Sequence, residues 1–440
     1  MIYYHKSLFK FNIYEWRELC EVINRNDDES KIWLDKIRRF ASYNGRNLKN
    51  LYKRDFSKFR EEKLLIMSQI LLDKSFKKYI KNEEEKIINQ SYLNSAFYSV
   101  DTLLFFYPNK KTEFGQRLNY LQKNLIKSLK NLKMNRTVQF DKRNYKYSYF
   151  CENKKLIREE VPSVLIISPN PKSLFSIITI KLCLHFGIKI DGIIIRKFSF
   201  NRFKDEFRRD GIDLLKKFLR KFVFQLNENS SNSSISLAKF HQKICPEIKH
   251  ISDFRKYENL QIRYFSDLEE SHEFASQSSA RIGLFTGGGY VGSKLRAALD
   301  KGIINIHMGY LPKYRGMDVV EATILEGNLN KVGLTSHLMS ELIDAGPIIE
   351  KLNFSSIDFN NLGTLRNELQ ALMPIVLINS FFKLSGDFNL IRNKIEEGKI
   401  YHKLHPNLKK IINHILENKY VFKNETLTKD FYDYFFKEIY

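Results

Sequence analysis

The chain has 440 residues, of which 43% are hydrophobic, and a formal net charge of +23. This length allows two or three domains, and the apolar content excludes a wholly disordered chain. The positive charge would suit a polyanionic partner such as tRNA, a nucleotide-linked sugar or an anionic membrane surface. Because Lys, Asn, Ile, Tyr and Phe are all abundant, a general compositional bias explains the charge equally well, and both interpretations stay open.

The cysteines and the N-terminus indicate the cellular compartment. Cys20, Cys151, Cys183 and Cys245 include no Cys-x-x-Cys pair and no histidine at metal-ligand spacing, which is typical of reduced thiols and predicts no metal site. The first residues mix charged and aromatic side chains, so we expect no secretion signal. No stretch approaches the roughly 18 apolar residues that a membrane span needs. We therefore predict a cytoplasmic protein.

Residues 1–160 are predicted to form an all-α accessory domain. They are rich in lysine, poor in Gly and Pro, and periodic in the manner of amphipathic helices. One apolar helical stretch is Leu64–Leu72, and one helical face carries the leucines Leu118, Leu121, Leu125, Leu129 and Leu132. No catalytic constellation is visible in this part of the chain, and its purpose stays open.

An α/β domain is predicted over residues 161–385. Its predicted elements are the strand Ser163–Ser168, the helix Leu174–Phe186, the strand Ile190–Ile195, a basic helix Arg202–Phe224, a polar loop Gln225–Ser236, and the strands Asn259–Phe265 and Arg281–Phe285. The first three form a β-α-β unit, which implies a crossover connection and a parallel sheet. We expect the α/β fold class, with a Rossmann-like, open, mostly parallel sheet.

A glycine-rich turn follows the strand that ends at Phe285. Gly287-x-Gly289-x-x-Gly292 matches the dinucleotide-binding fingerprint, so a nicotinamide site is a competing hypothesis. The turn follows the fourth predicted strand instead of the first. About 20 residues further on the chain carries Asn305 and His307 where that fold has a ribose-binding carboxylate. This order disfavours the dinucleotide site.

The chemistry is predicted to lie between Ile303 and Glu350. Asn305 and His307 end a β-branched run and are two residues apart, so on a strand they point to one face of the sheet. Ligands of open α/β sheets bind outside the carboxyl ends of the strands, where this amide and imidazole would arrive. Another strand is predicted at Val332–Met339, and Asp344 lies in the loop that follows.

The order of Asn-x-His, Leu-Pro-x-Tyr-Arg-Gly, Gly-Leu-Thr-x-His and Asp-x-Gly-Pro-Ile resembles the formyltransferases that use 10-formyltetrahydrofolate. This family includes methionyl-tRNA, glycinamide ribonucleotide and amino-sugar formyltransferases. The resemblance implies the formyltransferase fold, formyl transfer without a metal ion, and catalytic roles for Asn305, His307 and Asp344. Where the family commonly reads His-x-Ser-Leu-Leu-Pro, this chain has Gly309 and Tyr310, which leaves the acceptor open.

The resemblance also implies which residues surround the folate donor. The expected set is Gly287, Gly288, Gly289, Leu311, Pro312, Arg315, Leu338 and Ile343. Glycines beside the pterin would let the backbone approach the ring. Arg315 would hold the folate tail or an acceptor phosphate, or would brace its own loop. His337 is expected to be a structural histidine.

The last predicted elements are an amphipathic helix, Leu365–Phe382, which Pro374 kinks or divides, and a short, partly helical tail over residues 386–440. Methionyl-tRNA formyltransferases usually carry a larger β-barrel after the catalytic domain, and the tail lacks β alternation. We therefore expect a small-molecule amine acceptor, with a nucleotide-linked amino sugar favoured and tRNA as the alternative. A folate-dependent hydrolase and an NAD-dependent oxidoreductase are the remaining alternatives, and homodimerisation is left open.

Overall fold

The computed structural model of the chain describes residues 162–197, 236–256, 260–326, 328, 331–353, 361–386, 388–401, 404, 408–410, 412–413 and 416. The predicted all-α domain over residues 1–160 lies outside the described residues. So do the predicted helix Arg202–Phe224, most of the loop Gln225–Ser236 and the end of the tail.

Nine strands are assigned within the described residues. They are β1 (Val164–Ser168), β2 (Ile190–Arg196), β3 (Ile262–Phe265), β4 (Ile282–Phe285), β5 (Ile303–His307), β6 (Tyr314–Gly316), β7 (Gly333–Leu338), β8 (Ile348–Asn353) and β9 (Lys399–Tyr401). The α-helices are α1 (Leu174–His185), α2 (Leu237–Ile244), α3 (His272–Ser276), α4 (Ser293–Ala297), α5 (Val319–Leu325) and α6 (Leu362–Ser385). Short 3₁₀ turns lie at Ile251–Lys256, Leu268–Ser271 and Ile395–Glu397.

Seven strands form one sheet in the order β3-β2-β1-β4-β5-β7-β8. The first five run parallel, whereas β7 pairs antiparallel with β5, and β8 pairs antiparallel with β7. The predicted Rossmann-like, mostly parallel α/β sheet is therefore confirmed. The strand order reverses between β1 and β4, and ligands of such sheets bind at that point, outside the carboxyl ends of the strands.

The two faces of the sheet are covered differently. On one face α6 packs against α1 and covers β5, β7 and β8. On the other face the core residues are Leu165, Ile167, Ile194, Leu268, Ala275, Ala280, Phe285, Val291, Leu295, Leu299 and Ile303. All five residues of β1 are buried, because a central strand of a parallel sheet is covered on both faces. A rigid sheet thus supports the carboxyl end of β5.

The structure corrects two expectations of the sequence. Of the two effects predicted for Pro374, a kink or a division, the division is wrong, because α6 is one helix through Pro374 and most of its length is buried. Its N-cap Asn361 accepts a hydrogen bond from Thr364 N at 2.9 Å. The turn-rich segment Tyr310–Gly316, for which the sequence predicts no strand, contains β6, which pairs parallel with β9 in a second, two-stranded sheet. β9 lies within the segment predicted as the tail, so part of that segment packs on the α/β domain.

None of the helices in the described part of the chain is both long and apolar enough to cross a membrane.

Candidate active site

The strand β5 brings Asn305 and His307 to its carboxyl end. Both residues project from the same face, and the antiparallel strand β7 places His337 opposite Asn305 and Thr335 opposite His307. Asn305 is half-buried, whereas His307 and His337 are buried. Two imidazoles and an amide therefore share one small area of the sheet.

His307 is held by hydrogen bonding at Nε2. This nitrogen lies 2.8 Å from the main-chain carbonyl oxygen of Tyr314, which can only accept, so Nε2 carries the proton. The other nitrogen, Nδ1, lies 3.4 Å from Oδ2 of Asp344. Burial lowers the pKa of His307 below its ordinary value, against the opposing effect of the Asp344 carboxylate. A proton that His307 gains must arrive at Nδ1, where the carboxylate stabilises it.

Asp344 approaches the two imidazoles from the loop after β7. Its backbone adopts φ 49°, a left-handed conformation that is uncommon outside glycine and marks a position held by its surroundings. Oδ2 accepts a hydrogen bond of 2.8 Å from the Gly316 N–H. Burial acts to raise the pKa of Asp344, but the charge of His307, the neighbouring His337 imidazole and the Gly316 N–H bring it down to about 2. The carboxylate is therefore ionised at neutral pH.

His337 orients the amide of Asn305. Its Nδ1 lies 2.9 Å from the carbonyl oxygen of Leu338, so Nδ1 donates and Nε2 is left as an acceptor. Nε2 then accepts from Asn305 Nδ2 at 3.1 Å, and it lies 3.5 Å from Oδ1 of Asp344. An amide nitrogen carries two hydrogens, and this bond uses one. Within the described residues the second N–H of Asn305 has no acceptor and is available to a ligand oxygen.

The loop between β5 and β6 is fixed over this face. Thr335 Oγ1 donates to the Gly309 carbonyl at 2.7 Å and accepts from Leu311 N at 3.2 Å. The Leu311–Pro312 peptide bond is cis. A Cβ on Gly309 would lie 2.6 Å from His307 Nε2 and 2.9 Å from the Tyr314 carbonyl oxygen. Only glycine leaves room for the hydrogen bond that holds His307.

The residues expected to bind the folate donor differ in how far they are buried. Gly287, Gly288 and Gly289 all have positive φ and follow Phe285, the β4 partner of Asn305, so this turn borders the site. Leu311 is buried and Leu338 is half-buried. Ile343 is 58% exposed, so it does not line a closed pocket here.

Arg315 directly precedes Gly316, whose N–H donates to Asp344. It is buried on β6, and its guanidinium donates to the carbonyl oxygen of Ile395 at 3.4 Å. Its Nε has no hydrogen-bond partner among the described residues. The contact with Ile395 fits the expectation that Arg315 braces its loop.

Two residues join the site that sequence reasoning did not assign to it. His337 was expected to be structural, and the alternation of β7, together with its register against β5, is the signal that places it beside Asn305. Asn393 donates from Nδ2 to the carbonyl oxygens of Asp344 and Gly346, and no sequence signal marks it. Within the described ranges no group of three or more His, Cys, Asp or Glu side chains could hold a metal ion.

A family model described as Formyl transferase matches residues 290–380, which include β5, α5, β7 and β8. A methionyl-tRNA formyltransferase from Borreliella burgdorferi (strain ZS7) is 31% identical over 98 residues, which are 22% of this chain and 31% of that protein. The chain thus spans about a third of the length of this curated relative.

Two solved structures are also similar. Phosphoribosylglycinamide formyltransferase from Bacillus halodurans is 17% identical with a TM-score of 0.33, and the match covers 51% of this chain and 96% of that one. An N-formyltransferase from Helicobacter canadensis, solved with folinic acid and dTDP-3-aminofucose, is 14% identical with a TM-score of 0.36, over 58% and 80% of the two chains.

Proposed function

We propose that the chain, which matches the Formyl transferase family model over residues 290–380, transfers a formyl group from 10-formyltetrahydrofolate to an amine. The observation that carries this proposal is the convergence of Asn305, His307, His337 and Asp344, which are joined by contacts of 3.1, 3.4 and 3.5 Å. Formyl transfer needs a donor to an oxyanion and a place for one proton, and this network offers both.

The reaction joins the amine nitrogen to the formyl carbon and breaks the bond from that carbon to the folate nitrogen. The carbonyl oxygen becomes anionic in the tetrahedral intermediate. The second N–H of Asn305 is placed to donate to this oxygen, because His337 takes the first. Since the amide is already oriented, little reorganisation is needed when the negative charge develops.

His307, assisted by Asp344, accepts a proton from the amine and returns it to the leaving group. The attacking nitrogen loses a proton, and the leaving folate nitrogen gains one, so the balance requires a group that accepts and then returns it. His307 gains a proton at Nδ1, beside the ionised Asp344, and the resulting imidazolium lies close to the oxyanion. The other carboxylate oxygen of Asp344, Oδ1, lies 3.5 Å from His337 Nε2, so the same charge also faces the second imidazole.

The donor would lie between the glycine turn and the loop after β7. Positive φ at Gly287, Gly288 and Gly289 keeps side chains away from the carboxyl end of β4, next to Asn305. Leu342 and Ile343 are 57% and 58% exposed, and a flat pterin ring against these side chains would remove apolar surface from water. This placement supports a folate donor beside the site.

For the acceptor we propose a nucleotide-linked amino sugar. The N-formyltransferase from Helicobacter canadensis was solved with dTDP-3-aminofucose, a molecule of this class. Methionyl-tRNA is the second candidate, because the curated relative that matches over 98 residues is a methionyl-tRNA formyltransferase. A hydrolase would use the same groups with water as the acceptor.

Calorimetric titration and a transfer assay test the proposal. The full chain is titrated with 5-formyltetrahydrofolate, with NADH as the control ligand. 10-Formyltetrahydrofolate is then offered with a nucleotide-linked amino sugar, with methionyl-tRNA and with buffer alone, and formylated product and free formate are measured. Folate binding with amine-dependent transfer supports the proposal. Formate release that no amine changes would assign a hydrolase, and NADH binding without folate binding would overturn the folate site.

Asn305→Asp provides the sharpest variant. It keeps the size of the side chain and removes both amide hydrogens. We expect transfer to fall by roughly a hundredfold or more, as when an oxyanion donor is lost, while 5-formyltetrahydrofolate still binds. Full activity in this variant would contradict the role of Asn305.

A further inference from the structure

Two lysines, Lys331 and Lys351, lie beside the ring of Tyr310 and are called the cationic pair below. Tyr310 stands where the family usually has the first leucine of Leu-Leu-Pro. Lys331 Nζ lies 4.3 Å from the centroid of the Tyr310 ring, and Lys351 Nζ lies 5.3 Å from the same centroid. Lys331 precedes β7 and Lys351 belongs to β8, so two strands and the active-site loop bring these side chains together.

The two ammonium groups are not neutralised. Within the described residues neither of them has a carboxylate at ion-pair distance. Glu397 is the acidic group that acts on Lys351, and its own carboxylate lies 3.3 Å from Lys394. Burial, and then the charge of Lys331, lower the pKa of Lys351 below its ordinary value, while Glu397 opposes this. The tyrosine ring offsets part of the repulsion, and an excess of positive charge remains.

This cationic pair lies on the same face of the sheet as the active site. His307 is opposite Thr335 on β7, and Thr335 is opposite Lys351 on β8, so the three residues form one row across three strands. Residues that face each other across antiparallel strands point to the same side. Two strand spacings separate the backbones of His307 and Lys351 by about 10 Å. Tyr310 follows Gly309, the residue that lies against His307.

We propose that Lys331, Lys351 and Tyr310 form a phosphate subsite of the acceptor. This inference rests on the proposed function and narrows its substrate to a phosphorylated amine. Two unpaired ammonium groups match the charge of a phosphate dianion better than that of a single carboxylate, and lysine binds phosphate as a compact point charge. If the amine of the acceptor lies at Asn305 and His307, a phosphate of the same molecule several ångströms away would reach this subsite.

Titration of the full chain with inorganic pyrophosphate tests the subsite directly. The variant Lys331→Gln/Lys351→Gln removes two positive charges beside Tyr310. The control Lys189→Gln/Lys256→Gln removes the same charge elsewhere, since Lys189 precedes the amino end of β2 and Lys256 is exposed on a 3₁₀ turn. We expect at least a tenfold loss of pyrophosphate affinity in the first variant and less than a twofold change in the control.

A charge-conserving variant and a second ligand complete the test. Lys351→Arg should retain pyrophosphate binding, which separates lost charge from a disturbed strand. The affinity of every variant for 5-formyltetrahydrofolate should stay within twofold of that of the unmodified chain. This titration also tests the donor site independently of the phosphate subsite. A chain that binds pyrophosphate at this pair but no folate would leave the subsite standing and overturn the proposed function.

Three results would overturn the subsite. The first is an unmodified chain that binds no pyrophosphate, and the second is an equal loss of affinity in the variant and the control. The third is a variant that keeps pyrophosphate binding and loses affinity for 5-formyltetrahydrofolate, which would assign the two lysines to the carboxylates of the donor.

Discussion

The side-chain amide of Asn393 donates a hydrogen bond of 3.1 Å to the main-chain carbonyl oxygen of Asp344. The same Nδ2 lies 2.9 Å from the carbonyl oxygen of Gly346, so one side chain spans the loop that carries the carboxylate. Asp344 keeps its left-handed backbone, at φ 49°, only as long as its surroundings hold it there. Asn393 is therefore a positioning residue for the site.

We predict that Asn393→Ala lowers kcat about ten- to a hundredfold and leaves KM for the folate donor nearly unchanged. Loss of these hydrogen bonds costs roughly 1–3 kcal/mol and frees the loop to displace the Asp344 carboxylate from His307. Steady-state kinetics with the acceptor that proves active will measure the effect.

Asn361→Ala is the matched control for Asn393→Ala. Asn361 caps α6 through the Thr364 N–H, and among the described residues no hydrogen bond joins it to the loop of Asp344. Its removal should cost about 1 kcal/mol of stability while kcat stays near that of the unmodified chain. If both variants lose activity in proportion to their melting temperature, the role of Asn393 is stability alone.

The depressed pKa of Asp344 predicts a loss of stability in acid. The folded chain holds this pKa at about 2, against 3.8 for an ordinary aspartate. The stabilisation is therefore fully present above the unfolded value and is lost as the pH falls through the folded value. This difference corresponds to about 2 kcal/mol. His307 acts in the same direction, because its lowered pKa makes the folded state favour the neutral imidazole.

Urea unfolding of the unmodified chain and of Asp344→Asn at about pH 5 and about pH 2 measures this contribution. The difference in unfolding free energy between the two proteins should shrink by roughly 1–2 kcal/mol on acidification, because the amide does not titrate. A difference that stays constant across this range would show that the carboxylate is not stabilised by its neighbours.

The parts of the fold that the sequence predicted are those that local pattern determines. The apolar runs predicted as strands, Ser163–Ser168 and Ile190–Ile195, fit a covered parallel sheet, and the helix between them supplies the crossover. Asn305 and His307 share a face because strand side chains alternate. These features need no knowledge of distant residues.

The parts that escaped prediction depend on contacts between distant segments. The strand Tyr314–Gly316 is three residues long and exists because Lys399–Tyr401 pairs with it. Asn393 reaches the loop of Asp344 because Ile391, two residues before it, forms a β-bridge with the distant Ile348. Pro374 lies inside a continuous helix because tertiary burial outweighs the lost backbone hydrogen bond. A local pattern carries no information about such partners.

Gly309→Ala is predicted to disable the site through sterics alone. The added Cβ would lie 2.6 Å from His307 Nε2 and 2.7 Å from Cγ2 of Val319. His307 must then leave the Tyr314 carbonyl, which breaks the hydrogen bond that holds its ring. We expect at least a tenfold loss of kcat and a destabilisation of roughly 1–3 kcal/mol, as for an overpacked core.

Gly386→Ala is the control for this steric effect. A Cβ at Gly386 would meet atoms no nearer than 3.8 Å, and its φ is −88°, which alanine adopts without strain. Kinetics and thermal melts should therefore match those of the unmodified chain. Normal activity of Gly309→Ala would show that His307 has room to move without loss of function.

The last prediction concerns the hydrogen bond that ties β9 to the α/β domain. Tyr401 Oη donates to Glu326 at 2.6 Å, and the ring of Tyr401 stacks on that of Tyr314 at 5.4 Å between centroids. Burial and the Glu326 carboxylate raise the pKa of Tyr401, so its hydroxyl remains a donor at neutral pH. Tyr401→Phe keeps the stacking and removes this donor. The free energy of unfolding should fall by roughly 1–3 kcal/mol, since hydrogen bonds to charged groups are the stronger ones.

Tyr264→Phe is the control, because its side chain is 40% exposed, and it should change the free energy of unfolding by less than about 0.5 kcal/mol. Equal melting temperatures for the two variants would mean that the β6–β9 pair contributes little to the domain, whereas the expected difference would extend the folded catalytic unit beyond residue 385.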